Sequence, residues 1–302
     1  MTEPAAKPTP SVSTSSSAAP TRPAASLAQP ATAPAQSAAA PAATRKSHRL
    51  KPATRAKISY TVFVLAWTAF SVVASQYLIA LPMAWLLGAD VEKPFWTLIY
   101  YILYNSFALA LIIFAPRKIA DNYRRRKTAQ SSAQSVATDP LFTTNTEELG
   151  LKGWPTLVDI GLAPIAYVAY AILAGIIINF FSLFSWFNAD QEQDVGFNYF
   201  LTSGDRLMAM IAIVFIAPIA EEVIMRGYLY GKLRNKYKIP LAILLTSVIF
   251  AVLHGQLNVG VTVFVLSCVL CGLREITGTI WSGMLLHMLS NGIAFYLLYC
   301  MA

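Results

Sequence analysis

Long runs without a charged side chain constrain this chain more than any other feature. Residues 58–89, 95–116, 160–189 and 276–302 contain no Asp, Glu, Lys or Arg. The shortest of these runs is 22 residues long. A helix needs about 20 apolar residues to cross the hydrocarbon core of a bilayer. Each run is therefore long enough to span a membrane as one helix.

Further spans are predicted in the second half of the chain. Residues 239–273 form an uncharged run of 35 residues, which as one helix would be about 52 Å long. The polar segment 255–260 is the natural hairpin within that run, which gives two spans. Another span begins near Leu207 and is apolar as far as Ala220. The prediction is an all-α, polytopic membrane helix bundle of about seven transmembrane helices, or eight if 160–189 contains a re-entrant turn.

Composition excludes several classes of protein. Charged residues make up 13% of the chain and apolar residues 56%, whereas a soluble domain has about 25% charged residues. The three cysteines all lie in apolar runs, so no disulfide framework is indicated. The net charge is +8, but the basic residues cluster at the ends of apolar runs, as membrane anchors do. The expected partner is a lipid bilayer and not a nucleic acid.

The N-terminal region differs from the rest of the chain. Ala, Pro, Ser and Thr fill 36 of the first 44 positions, and such a segment buries too little apolar surface to fold. The chain is divided into a disordered tail with a basic juxtamembrane end (1–57), N-terminal transmembrane helices (58–204) and a C-terminal transmembrane domain (205–302).

Loop charges predict how the helices are oriented. With alternating spans, the basic clusters at 45–57, 117–127 and 232–238 fall on one side, and the acidic loops at 90–92 and 190–194 fall on the other. Basic loops are cytoplasmic, so the N-terminus is expected in the cytoplasm. The small size and simple tail favour a multi-pass protein of a bacterial plasma membrane.

Polar side chains with helical spacing interrupt the apolar second half at three places. An ionisable group at mid-membrane costs about 2.5–3.5 kcal/mol, so each one needs a reason to be there. Counted at 1.5 Å per residue from the basic side, the three places lie at similar depths. Together they predict one site inside the membrane, with the candidate residues Glu221, Glu222, Arg226, His254, His287 and Asn291.

These residue types suit the hydrolysis of a peptide bond by water. A carboxylate beside an imidazole can deprotonate water, and a second imidazole with an amide can stabilise an oxyanion. The same Glu and His residues could instead hold a divalent metal such as zinc, and the sequence leaves this cofactor open. The His-Glu-x-x-His motif of zinc proteases does not occur in the chain.

The ordered motifs Glu-Glu-x-x-x-Arg, Phe-x-x-x-His and His-x-x-x-Asn, followed along residues 205–300, resemble the CPBP intramembrane proteases. This family includes the type II CAAX prenyl endopeptidases and bacteriocin-processing or self-immunity proteins. Gly227, directly after Arg226, continues the resemblance. The function it implies is that of an intramembrane endopeptidase with a peptide or protein substrate at the membrane.

The resemblance also implies a role for each site residue. Glu221 would be the general base that activates water, and His254 would help to hold that water. Glu222 and Arg226 would form a supporting ion pair. The oxyanion pocket would consist of His287 and Asn291.

Two other classes of function stay open from the sequence. A non-catalytic scaffold or immunity protein could keep the fold, although a silent member would be expected to lose one of the six residues. A transporter could use the buried Glu and His residues to carry protons or ions, although the first half holds no second copy of the motifs.

Pro218 is expected to kink its helix and to free the carbonyl of Val214.

Overall fold

The computed structural model describes residues 51–128, 144–191, 193, 195, 197 and 202–301. The predicted disordered tail therefore lies outside the described residues as far as position 50. All regular secondary structure in the described ranges is helical, which confirms the predicted all-α bundle. Its seven helices are α1 (Pro52–Leu87), α2 (Pro94–Thr128), α3 (Leu157–Phe181), α4 (Ser203–Arg234), α5 (Ile239–Leu253), α6 (Leu257–Thr277) and α7 (Trp281–Tyr299).

Helix boundaries follow local chemistry more closely than they follow the ends of the uncharged runs. α1 begins at Pro52, six residues before the apolar run, because proline suits the first helical position. α3 begins at a capping box in which Thr156 and Asp159 satisfy each other's backbone N–H groups. α3 is a single helix that ends at Phe181, so the described residues contain no re-entrant turn in this region.

Five of the helices, namely α1, α2, α3, α4 and α6, are long and apolar enough to cross a membrane. α5 is shorter, with 15 residues. α7 has 19 residues but is not among the five, because His287, Ser290 and Asn291 lower its mean hydropathy. The number of helices and their apolar character support a multi-pass membrane protein.

Basic side chains gather at one end of the bundle, which we call the basic end. The start of α1 meets the end of α4 there: the Tyr60 hydroxyl donates to the carbonyl of Lys232, and Lys57 lies 4.2 Å from the ring centroid of Tyr237. Arg234 Nε donates to Glu275 Oε1 over 2.9 Å. These contacts place the ends of α4 and α6 and the start of α1 on the same side.

The α5–α6 turn lies at the other end of the bundle and is held by polar contacts. Gly255 ends α5 with φ +68°, a conformation that glycine adopts without strain. Asn258 Nδ2 then donates to the carbonyls of Ala189 and Gln191. The backbone after α3 therefore supplies acceptors for side chains at the start of α6.

A segment before α3 packs against the basic end of α4. We call residues 144–153 the docking loop. Its Leu149 is 4% exposed and belongs to the main apolar core. Arg274 Nη2 donates to the carbonyl of Glu148, and Ile280 N donates to the carbonyl of Gly150. The loop thus joins α4, α6 and the start of α7.

α4 contains two π-helical segments. It is α-helical at its ends and in Ala217–Glu222, but it has π-helical geometry at Ile211–Ile216 and Val223–Tyr230. A π-turn adds a residue to a helical turn, and such turns are frequent at functional sites. The pair of glutamates predicted as part of the site lies between the two π segments.

Candidate active site

The centre of the site is an ion pair within α4. Arg226 Nη1 lies 2.9 Å from Glu222 Oε1, and both side chains are 0% exposed. The guanidinium carbon also lies 4.5 Å from the centroid of the Phe250 ring, a cation–π contact. None of the guanidinium nitrogens has an aligned nitrogen or oxygen acceptor among the described residues, and the thiol of Cys271 lies beside the guanidinium. The contact with Glu222 is therefore an ion pair without an aligned hydrogen bond.

His287 connects this pair to the second glutamate. Its Nδ1 lies 2.9 Å from Glu222 Oε1, and its Nε2 lies 3.7 Å from Glu221 Oε2. Glu222, which is ion-paired to Arg226, can only accept at that oxygen. Nδ1 therefore carries a proton and donates to Glu222. The orientation of the ring is fixed by this bond, and Nε2 is directed toward Glu221.

The two neighbouring carboxylates occupy different environments. The Glu222 side chain is fully buried, whereas that of Glu221 is 24% exposed. Glu222 is committed to Arg226 and His287, while Glu221 is reachable from outside the bundle. Tyr104 of α2 lies within electrostatic range of Glu221. Glu221 is thus the carboxylate that an incoming molecule can meet.

His254 directly follows α5 and is the C-cap residue of that helix. Its Nδ1 lies 2.8 Å from the carbonyl of Phe250, so Nδ1 is the donor and Nε2 is left as an acceptor. The ring packs edge-on against Phe250 at 4.7 Å, and Phe250 packs edge-on against His287 at 6.0 Å. The two imidazoles are therefore neighbours through one aromatic ring.

Asn291 lies one helical turn beyond His287 on α7. Its Nδ2 donates to the carbonyl of Ile213 over 3.0 Å. This carbonyl is in the first π segment of α4. The sequence predicted that Pro218 frees the carbonyl of Val214, whereas the amide of Asn291 binds the carbonyl one residue earlier, because the helix is in π register at this point.

The structure brings four of the six predicted residues into one chain of short contacts, running Arg226–Glu222–His287–Glu221. His254 joins them through Phe250, and Asn291 joins them through α7. Their individual catalytic roles stay predictions, because geometry alone does not assign a role to a side chain. Sequence reasoning used Phe250 only as part of a motif, although its buried ring contacts Arg226 and both imidazoles.

Two glycines, one of which the sequence did not single out, allow this packing. A Cβ on Gly283 would lie 3.1 Å from Glu222 Oε2, so α7 approaches the buried carboxylate through a residue without a side chain. A Cβ on Gly227 would lie 2.9 Å from the carbonyl of Leu149. The signal for Gly283 was its spacing, because it is four residues before His287 and so shares its helix face.

The start of α7 is anchored by polar contacts that the sequence analysis also missed. Ser282 Oγ donates to Asp159 Oδ1 over 2.5 Å, and Asp159 is 3% exposed. Trp281 Nε1 donates to the carbonyl of Gly153. These bonds fix the helix six residues before His287. An aspartate at the first turn of an apolar run was the available signal.

The described side chains do not form a ready-made ligand set for a divalent metal. No group of three or more His, Cys, Asp or Glu side chains in the described ranges could hold a metal ion. Glu222 is already engaged by a cation, Arg226, and by His287.

A match to a known protein family lies in the same region of the chain as the candidate site. Residues 203–293 match the model of the family described as type II CAAX prenyl endopeptidase, Rce1-like. The match covers less than a third of the chain, includes all six candidate residues, and confirms the resemblance that the motifs predict. No curated protein and no solved structure matches the chain. The matched region is thus similar to a family of membrane peptidases.

Proposed function

We propose that this protein is an intramembrane endopeptidase that hydrolyses a peptide bond with a water molecule activated by Glu221. The observation that carries the proposal is the difference between two adjacent carboxylates. Glu222 is fully buried and committed to Arg226 and His287, whereas Glu221 is 24% exposed and can be reached by an incoming molecule. Paired carboxylates in unlike environments are typical of sites that move protons.

Glu221 is the general base of the proposed reaction. It takes a proton from water as the water oxygen bonds to the scissile carbonyl carbon, and the carbonyl oxygen becomes an oxyanion. Glu221 then returns the proton to the leaving nitrogen as the C–N bond breaks. General acid–base catalysis of this kind contributes about 10²–10⁴-fold. Nε2 of His254, left as an acceptor by the Nδ1 contact, holds the water.

His287 and Asn291 stabilise the oxyanion. Glu222 fixes the ring of His287 through Nδ1, so Nε2 is directed toward the side on which Glu221 lies. The proposal requires an N–H at this Nε2 as the donor to the oxyanion. Asn291 has a second amide N–H besides the one bound to Ile213. Donors fixed before the reaction cost no reorganisation when charge develops. The buried Arg226–Glu222 pair holds this arrangement.

The substrate is proposed to be a peptide or protein segment that reaches the site from the cytoplasm. The basic end of the bundle would be cytoplasmic by the positive-inside rule, with the N-terminus on the same side. A bacterial plasma membrane stays the expected location. Processing of CAAX-type substrates is the finer expectation that the family match brings, and processing of bacteriocin-type substrates stays a prediction from the motifs.

The proposal is tested by comparing wild type with Glu221→Gln in proteoliposomes and in cells lacking the native protein. Mass spectrometry of membrane-associated peptides identifies ends that only the wild type generates. We expect Glu221→Gln to lose at least about 100-fold in cleavage rate while its thermal unfolding in detergent stays unchanged. Glu92→Gln, an exposed glutamate outside the site, is the matched control. Cleavage by the Glu221→Gln variant at the wild-type rate excludes Glu221 as the base.

A further inference from the structure

A proline stands one helical turn before the proposed catalytic base. Around it, α4 is in π register: the N–H of Ala217 donates to the carbonyl of Ala212, five residues back. At the same spacing, position 218 would donate to the carbonyl of Ile213. Pro218 has no N–H. The carbonyl of Ile213 therefore has neither its α-helical donor, which is used by Ala212, nor its π-helical donor.

Asn291 fills this gap from the neighbouring helix. Its Nδ2 donates to the carbonyl of Ile213 over 3.0 Å. The two helices are close at this level, because a Cβ on Gly292 would lie 3.6 Å from a methyl carbon of Val214. Pro218 is buried, and so is Val214. An orphaned carbonyl in such a place needs a partner, and the Asn291 amide supplies one.

We propose that Pro218 is a positioning residue of the site, acting through Ile213 and Asn291. By withholding a backbone donor it keeps the carbonyl of Ile213 available to Asn291, and this bond fixes the rotation of α4 against α7. One residue more or less in a turn rotates the following residues by about 100°. The π turn before Pro218 therefore decides which way Glu221 points. The catalytic part of this inference rests on the proposed function.

Asn291 can serve this bond and an oxyanion together. A primary amide has two N–H donors and one carbonyl acceptor. One N–H is committed to Ile213, so the second N–H and the carbonyl oxygen stay available to a substrate. The committed N–H removes the freedom of the side chain to rotate. The hydrogen bond from Asn291 to the carbonyl of Ile213 thus also orients the second N–H of the Asn291 amide.

A double-mutant cycle on thermal unfolding tests the backbone part of the proposal without any substrate. Asn291→Leu, which keeps the shape and removes the donor, should lower the unfolding temperature in the wild-type background. Pro218→Ala gives position 218 an N–H that can reach the carbonyl of Ile213. In the Pro218→Ala background, Asn291→Leu should lower the unfolding temperature much less than it does in the wild-type background. Equal losses in both backgrounds overturn the proposal.

A matched proline separates this coupling from a general effect of removing proline. Pro164 lies inside α3 and is exposed. In the Pro164→Ala background, Asn291→Leu should lower the unfolding temperature as much as it does in the wild-type background. A smaller decrease in the Pro164→Ala background would contradict the proposal. If Asn291→Leu does not fold while Pro218 is present, folding of the double variant is the readout. Failure of both to fold also speaks against it.

Kinetics test the positioning of Glu221. Pro218→Ala should lower kcat about 10²-fold, the usual consequence of a misplacement near 1 Å, with KM nearly unchanged and with an unfolding temperature no lower than that of wild type. A wild-type kcat in this variant overturns the role of Pro218. If the wild type cleaves nothing, the proposed function fails while the unfolding cycle stays readable. The two failures are therefore distinguishable.

Discussion

α4 and the first three helices are all apolar, but they occupy opposite positions in the bundle. Half of the most apolar stretch of Ser203–Arg234 is buried inside the protein, compared with 17–22% for the corresponding stretches of α1, α2 and α3. Of the four Asp, Glu, Lys and Arg residues that are buried in the described ranges, three lie in α4 and one, Asp159, lies in α3. The Arg226–Glu222 pair lies in α4, whereas side chains such as Asn179 of α3 bond to their own helix. A membrane helix keeps charge where other helices surround it.

The largest effect on stability is expected from the central ion pair. Arg226→Leu leaves Glu222 without its cation in a fully buried place, and breaking a buried pair costs about 3–5 kcal/mol. Replacing Glu222 by Leu as well should recover part of the loss, but not all, because His287 then loses its acceptor. Thermal unfolding in micelles measures both variants.

A second ion pair, which joins α4 to α6, provides the contrast. Arg234 and Glu275 are 2.9 Å apart but 40% and 25% exposed. Pairs of this kind contribute about 0–1 kcal/mol. Arg234→Leu should therefore be tolerated far better than Arg226→Leu. Equal destabilisation by the two variants would mean that burial does not set the difference.

An intermediate effect is expected where the docking loop meets α4. A methyl group at Gly227 would stand 2.9 Å from the backbone carbonyl of Leu149, so Gly227→Ala should destabilise by about 1–3 kcal/mol, as overpacking does. Gly272 of α6 has open space around it. Gly272→Ala should stabilise by about 0.5–1 kcal/mol. Unfolding curves for the two variants should shift in opposite directions.

The smallest effect is expected at a polar residue of the outer region. Asn179 is exposed and donates to the carbonyl of Gly175 in its own helix. Because that carbonyl belongs to a regular helix, Asn179→Leu should change the unfolding temperature little, whereas Asn291→Leu should lower it clearly. A large loss at Asn179 would show that α3 packs against a further partner in the membrane.

The sequence predicted the helices well where local pattern decides the structure. Uncharged runs identified α1, α2 and α3, and the polar segment 255–260 identified the α5–α6 turn. Helical spacing put Glu222 and Arg226 on one face. These features depend on residues within a few turns of each other, so one stretch of sequence contains the information.

Contacts between distant residues were not predictable in this way. Leu149 meets Gly227, Asp159 meets Ser282 and Asn291 meets Ile213. Each contact is between residues of different segments and depends on how the helices pack. The π register of α4 was not predictable for a related reason. Pro218 indicates that one backbone donor is missing, but it does not indicate which carbonyl receives a hydrogen bond from another helix.

The short length of α5 is expected to make this protein sensitive to the thickness of the bilayer. Fifteen residues extend about 22 Å at 1.5 Å per residue, while a hydrocarbon core is about 30 Å thick. Lipids next to a short helix thin locally to match it. We therefore expect a depression in the bilayer surface at the turn that holds His254. In vesicles with longer acyl chains this depression becomes costlier, and we expect turnover to fall as the hydrophobic thickness increases.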